Sequence, residues 1–113
     1  MTVLLVDDDG DALELRRMIL EARGHRVNVA ESAEEAREKI LAVQPEAVVL
    51  DLRIPLADDG LALIREFRAA SPGVRIVVLS GWPADLVGRE EQQMVDRILE
   101  KPVRSELLLN ALQ

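Results

Sequence analysis

Residues 47–51 read Ala47-Val48-Val49-Leu50-Asp51, four apolar residues with no polar interruption, closed by an aspartate. Alternating polarity would mark a strand with one wet face, whereas an unbroken apolar run marks a strand covered on both faces, the habit of a parallel sheet flanked by helices. The same arrangement opens the chain, where Val3-Leu4-Leu5-Val6 leads into Asp7 and Asp8. Toward the other end, Val77-Val78-Leu79 leads into Ser80-Gly81, and a brief run at residues 97–100 leads into Lys101-Pro102. Ligands of open parallel sheets bind at the carboxyl ends of the strands, so residues far apart in sequence converge there. Asp7, Asp8, Asp51, Ser80 and Lys101 all fall at such ends.

Working outward, the spacing predicts strands at Thr2–Val6, 27–30, 47–50, 74–79 and Arg97–Glu100. Between them the period changes to that of helices. Residues 11–23 place Ala12, Leu15, Met18, Ile19 and Ala22 on one face, and Gly24 stops the helix. Ser32-Ala33-Glu34-Glu35 has the form of a capping box, in which the Ser hydroxyl and the Glu carboxylate each satisfy a free amide, and the helix it opens runs to about residue 43, before Pro45. Residues 61–70 repeat Leu61, Ile64 and Phe67 at helical spacing until the Ser71-Pro72-Gly73 turn. A fourth helix is expected within 82–93, weakened by Pro83 and Gly88, and a last one over 105–113. Five strands alternating with five helices are too few for a closed eight-stranded barrel, so an open α/β sheet, doubly wound with helices on both faces, is the expected fold. The flavodoxin-like strand order 2-1-3-4-5 is one established solution, and it makes the first and third strands neighbours, which sets Asp7 and Asp8 beside Asp51.

Composition narrows the function. The 113 residues suit one domain, expected to span residues 1–113, with 49% apolar and 31% charged residues. The longest apolar run is strand-sized and the N-terminus has no secretion-signal pattern, so no membrane association and a cytoplasmic location are expected. There is no cysteine, which removes disulfides and thiolate chemistry. A net charge of -7 argues against direct nucleic-acid binding by this chain. Lys101 is one of only two lysines.

Three carboxylates at one sheet edge repel one another, and a divalent cation removes the conflict. Oxygen-only ligands of full charge suit magnesium, which keeps several waters and leaves room for a phosphate oxygen. Simpler roles exist for each residue. Aspartates before a helix serve as N-caps, which suits Asp9 and Asp11 better than Asp7 and Asp8; Asp51 before Pro55 could form a turn; Ser80-Gly81 could be only a turn; Lys101 could lie on the surface.

Taken together, Leu4-Leu5-Val6-Asp7-Asp8-Asp9, Val48-Val49-Leu50-Asp51-Leu52-Arg53-Ile54-Pro55, Val77-Val78-Leu79-Ser80-Gly81 and Glu100-Lys101-Pro102 resemble, in order and along the whole chain, the receiver domain of bacterial two-component response regulators. The resemblance implies that Asp51 is the phosphoacceptor, receiving a phosphoryl group from a sensor histidine kinase or a histidine phosphotransfer protein. It implies magnesium held directly by Asp8, Asp51 and the backbone carbonyl of Arg53, with Asp7 acting largely through water. Lys101 would pair with the phosphoryl oxygens and Ser80 would turn its hydroxyl to them. Such a domain is not an enzyme acting on a separate substrate; its phosphorylation and dephosphorylation are self-catalysed. The Lys101-Pro102 bond is often cis in this family.

The chain departs from that pattern in several places. Ile98 stands where an aromatic residue is common, and the chain has no tyrosine. The segment from Asp51 to Gly60 is one residue longer than usual through Ala57-Asp58-Asp59. Leu107, Leu108, Leu109 and Leu112 exceed one helical stripe, which suggests a partner contact or a homodimer through the fifth strand and its flanking helices, favoured by phosphorylation, or else a longer natural chain cut here. Positions 53 and 82 flank the approach of a hydrolytic water in receivers; here they hold the bulky Arg53 and Trp82, neither of which accepts a hydrogen bond from that water. This predicts a long-lived phosphate, and Arg53 is able also to bond the phosphoryl oxygens. Two other readings come from different classes: Asp7-Asp8-Asp9-Gly10 also resembles the nucleophile motif of haloacid-dehalogenase-type phosphatases, with Asp7 as nucleophile, and a receiver-fold module could bind partners without phosphorylation.

Overall fold

The computed structural model describes residues 1–113. Its elements are β1 (Thr2–Val6), α1 (Gly10–Glu21), β2 (Arg26–Ala30), α2 (Ala33–Val43), β3 (Ala47–Asp51), α3 (Ala57–Ala70), β4 (Arg75–Ser80), β5 (Arg97–Glu100) and α4 (Ser105–Ala111). The five strands form one parallel sheet in the order β2-β1-β3-β4-β5, the order expected. All five β3 residues are buried, as the uninterrupted run required.

Alternate residues of the central strands feed two cores. Leu4, Val6, Val48, Leu50, Ile76 and Val78 pack against Ala36 and Ile40 of α2 and Leu61, Ile64 and Phe67 of α3. Val3, Leu5, Val49, Val77 and Leu79 face the other way, onto Leu13 and Leu20 of α1, Leu108 and Ala111 of α4, and Leu112 just after it. The period of two along each strand therefore decides which helix a side chain meets.

Several expectations need correction. Only four α-helices form. Residues 82–93 instead hold two 3-10 turns, Pro83–Asp85 and Glu90–Met94, because Pro83 occupies the first turn and Gly88 takes a positive φ of 85° between them. Leu86 still reaches the core, with Met94 and Val95 packed against its rim. In α1 the buried stripe runs through Leu13 and Leu20, whereas Leu15 and Met18 are exposed. The half-buried Arg16 and Arg17 fill the middle of that stripe, so polar letters hid the true face.

Asp9 caps α1, accepting from the Asp11 and Ala12 amides. The Ser32 hydroxyl caps α2 by accepting from the Glu35 amide, but the Glu35 carboxylate pairs with Lys39 at 3.2 Å, so only half of the expected capping box forms. The residues read as an extended loop, Ala57-Asp58-Asp59, are the first turn of α3, where the Asp59 carboxylate accepts from the Leu56 amide. Gly60 is required there: a Cβ would lie 1.9 Å from the Leu52 carbonyl oxygen. The surplus of leucine on α4 is largely absorbed, with Leu108 and Leu112 buried, Leu109 half-buried and Leu107 alone 52% exposed among the four. The Ile54-Pro55 and Lys101-Pro102 bonds are both cis.

Candidate functional site

Strand register builds the site. Val6 pairs with Leu50, so the residues that follow, Asp7 and Asp51, emerge beside each other at the carboxyl edge. The Asp7 amide donates to the Ala30 carbonyl and the Leu52 amide to the Leu79 carbonyl, which carries strand-like order past the last regular pairs. On the far side of β3, Ser80 pairs with Glu100, and the Lys101 amide donates to the Ser80 carbonyl at 2.8 Å. Lys101 is thereby aimed back across the sheet, and its Nζ lies 3.1 Å from Asp51 Oδ2.

Carboxylate oxygens of Asp7, Asp8 and Asp51 lie within 4.8 Å of one another. Asp7 is 1% exposed and Asp51 8%, while Asp8 stands at the open side. The three acids expected from sequence are therefore together, with Lys101 among them. Ser80 is buried at the neighbouring strand end, where its Oγ accepts from the Trp82 amide at 3.0 Å.

The environments of the two buried acids push their titrations apart. Burial raises the Asp51 carboxyl above the ordinary range, the negative Asp7 adds to the rise, and Lys101 opposes it. Burial also pushes Asp7 up, but the Asp9 amide and the Arg16 guanidinium outweigh it and hold Asp7 below the ordinary range. Asp51 is thus the group for which ionisation is costly and for which an added cation has most to offer. Three oxygen donors of full charge, close enough to share one ion, fit a hard divalent cation such as magnesium.

Two participants escaped the sequence reading. Arg16 donates to Asp7 Oδ2 at 2.6 Å from the second turn of α1. Asp85 accepts from Arg53 twice, Nε to Oδ2 at 2.7 Å and Nη2 to Oδ1 at 3.2 Å. The Arg53 guanidinium also lies 3.8 Å from the Trp82 ring centroid, a cation–π contact. Arg53 is accordingly engaged by the loop after β4. Neither pair leaves a local signal, because Asp7 and Arg16 are nine positions apart and Arg53 and Asp85 are 32 positions apart. In the phosphatase reading Asp7 is the nucleophile, yet Asp7 is 1% exposed and is tied down by the Asp9 amide on Oδ1 and Arg16 on Oδ2, whereas Asp51 is the more accessible of the two at 8%.

Comparison with known proteins agrees with this geometry. The family model described as the response regulator receiver domain matches residues 3–113. The chain is 32% identical over 115 residues to the transcriptional regulatory protein YesN of Bacillus subtilis, covering 98% of this chain and 31% of that protein. It is 37% identical over 78 residues to the response regulator MprA of Mycolicibacterium vanbaalenii, covering 69% of this chain and 33% of the relative. The chain thus spans about a third of the length of the curated relatives it matches. Among solved structures, a response regulator protein from Burkholderia pseudomallei with a phosphorylated aspartic acid, calcium ion and citrate superposes with a TM-score of 0.88 at 32% identity, over 99% of this chain and 66% of that one.

Proposed function

The chain belongs to the response regulator receiver domain family, and from that premise we propose that Asp51 accepts a phosphoryl group from a histidine of a sensor kinase or phosphotransfer protein. The observation that carries the assignment is the position of Asp51: buried at the end of β3, 3.1 Å from the Lys101 ammonium and within ligand-sharing distance of Asp7 and Asp8. We read residues 1–113 as one such domain.

In the proposed reaction an Asp51 carboxylate oxygen attacks phosphorus, the bond from phosphorus to the donor's imidazole nitrogen breaks, and the imidazole leaves with the electron pair. Phosphoryl transfer asks a protein mainly for positioning and charge neutralisation, which is what this edge supplies. Lys101 passes from the Asp51 carboxylate to the phosphoryl oxygens as charge moves outward. Asp8 and Asp51 with the Arg53 carbonyl would hold magnesium, and Asp7 would act largely through water. When bound, the ion neutralises charge on the transferring oxygens.

Ser80 would exchange its contact with the Trp82 amide for the new phosphate, drawing the loop after β4 with it. With Ile98 half-buried in place of an aromatic residue, no aromatic rotamer at that position takes part. The added charge biases the β4 and β5 region between two arrangements and alters a surface read by a partner. The edge strand β5 and its flanking elements are the proposed contact, including a second copy of the chain. The site modifies itself once and acts on no separate substrate.

Incubation with magnesium and acetyl phosphate, followed by intact-mass measurement, tests the reading. One added phosphoryl group that maps to Asp51 is expected; no addition, or addition at Asp7, would overturn it.

A further inference from the structure

Arg16 stands between α1 and the acidic cluster with its side chain 18% exposed, against 1% for the Asp7 carboxylate it meets at 2.6 Å. The second Asp7 oxygen is taken by the Asp9 amide at 3.0 Å. Each oxygen of the deepest acid thus already accepts one hydrogen bond from the protein itself, before any cation is considered. Lys101 similarly occupies one oxygen of Asp51, leaving Asp8 as the acid on the open side.

Charge counting gives this pair a consequence. Three carboxylates face two fixed cations, Arg16 and Lys101, so a divalent ion carries the cluster past neutrality. Without Arg16 the same ion would bring it to balance. An aspartyl phosphate carries roughly two negative charges in place of the single charge of the carboxylate, and with that addition Arg16, Lys101 and the divalent ion together match the acids. Resting on the magnesium-dependent acceptor reading above, we propose that Arg16 is a positioning residue that competes with the divalent cation for Asp7, keeping the cluster assembled without metal and lowering the metal affinity of the unmodified domain. The competition weakens once the phosphoryl group is in place. A merely structural role, tethering α1 to β1, would leave metal affinity unchanged.

The test uses Arg16→Met, which keeps the aliphatic stem, with Arg16→Gln as a second variant should the first lose its circular dichroism spectrum. Magnesium is titrated calorimetrically into the unmodified wild type and variant at fixed ionic strength. Removing one positive charge a few ångströms from a divalent ion at high effective dielectric corresponds to about tenfold tighter binding. Tighter binding by the variant, or binding by the variant alone, supports the proposal. Equal or weaker binding by the variant, with a wild type that binds magnesium, overturns it while leaving the metal site standing; no binding by either protein overturns both. After loading with acetyl phosphate, the difference between the two proteins should shrink, and an undiminished difference would remove the charge-balance argument.

Discussion

Arg53 and Asp85 clasp the loop after β3 to the loop after β4, with two hydrogen bonds of 2.7 and 3.2 Å and the Trp82 ring packed on the guanidinium. The clasp ties together the segment proposed to offer a metal-binding carbonyl and the segment that must follow Ser80. It also holds together Arg53 and Trp82, the two positions expected from the family resemblance to flank the approach of a water to an Asp51 phosphate. Phosphorylated protein should therefore decay severalfold faster in Trp82→Ala and Arg53→Asn than in wild type, at fixed magnesium. Asp85→Ala separates shielding from direct contact: if shielding by the held Arg53 matters, this variant also decays faster. Release of Arg53 onto the phosphoryl oxygens would slow decay instead. Equal rates in all four proteins would remove any role for the clasp.

Asp51→Asn should add no phosphoryl group from acetyl phosphate while retaining the fold, since asparagine fills the same volume. Intact mass and circular dichroism check this, and a variant labelled at the wild-type rate would refute the assignment.

The same substitution carries a pH signature. The folded state raises the Asp51 carboxyl, so the protonated acid is the form the fold favours, and stability from this group is present at low pH and lost as pH rises through the raised value. Asp7 has the opposite sign: its depressed carboxyl contributes stability above the ordinary carboxylate range, lost as pH falls through the depressed value. In metal-free buffer Asp51→Asn should therefore melt higher than wild type at neutral pH, with the gap closing toward the acid range, whereas Asp7→Asn should melt lower. Melting curves across pH decide it; the reverse order at neutral pH would contradict the electrostatic account.

Magnesium should raise the melting temperature of the wild type, because a ligand of the folded state stabilises it by mass action. Asp8→Ala should reduce that rise more than Asp7→Ala, since Asp8 lies on the open side and the Asp7 oxygens are already engaged. Equal losses would contradict the ordering.

Gly60→Ala should destabilise the domain by at least ~2 kcal/mol, the scale of overpacking where a backbone atom has to move. Its methyl group would have to displace the Leu52 carbonyl, one residue from Asp51. Denaturant titration gives the magnitude; a change below about 0.5 kcal/mol would mean that α3 shifts freely.

Strand positions were legible because runs such as 47–50 are apolar throughout and end in charged or hydroxylic residues, a pattern that depends little on tertiary context, whereas the sheet order came from the established flavodoxin-like topology and not from the runs themselves. The convergence of Asp7, Asp8, Asp51 and Lys101 followed from those strand ends taken with that order. Elements decided by tertiary packing were read less well. The inward face of α1 was misassigned because half-buried arginines fill its stripe, and one of them reaches the acidic cluster. The segment before β5 has apolar anchors at Leu86, Met94 and Val95 that mimic a helix, yet Pro83 and the positive φ of Gly88 break it into short turns. The start of α3 was placed late because two aspartates look like loop until Asp59 is seen to cap the turn.

Those short turns between β4 and β5 give the molecule an uneven resistance to local opening. A continuous helix would lock its amides in a ladder of bonds four residues apart, whereas this segment holds them in isolated turns, anchored at Leu86 and through Arg68 donating to the Met94 carbonyl. Amide protons of residues 84–94 should exchange with solvent through small openings, while those of β1 and β3 wait for global unfolding. Such exchange would mean that the panel beside Ser80 can rearrange at little thermodynamic cost without loosening the strands that hold the carboxylates in register.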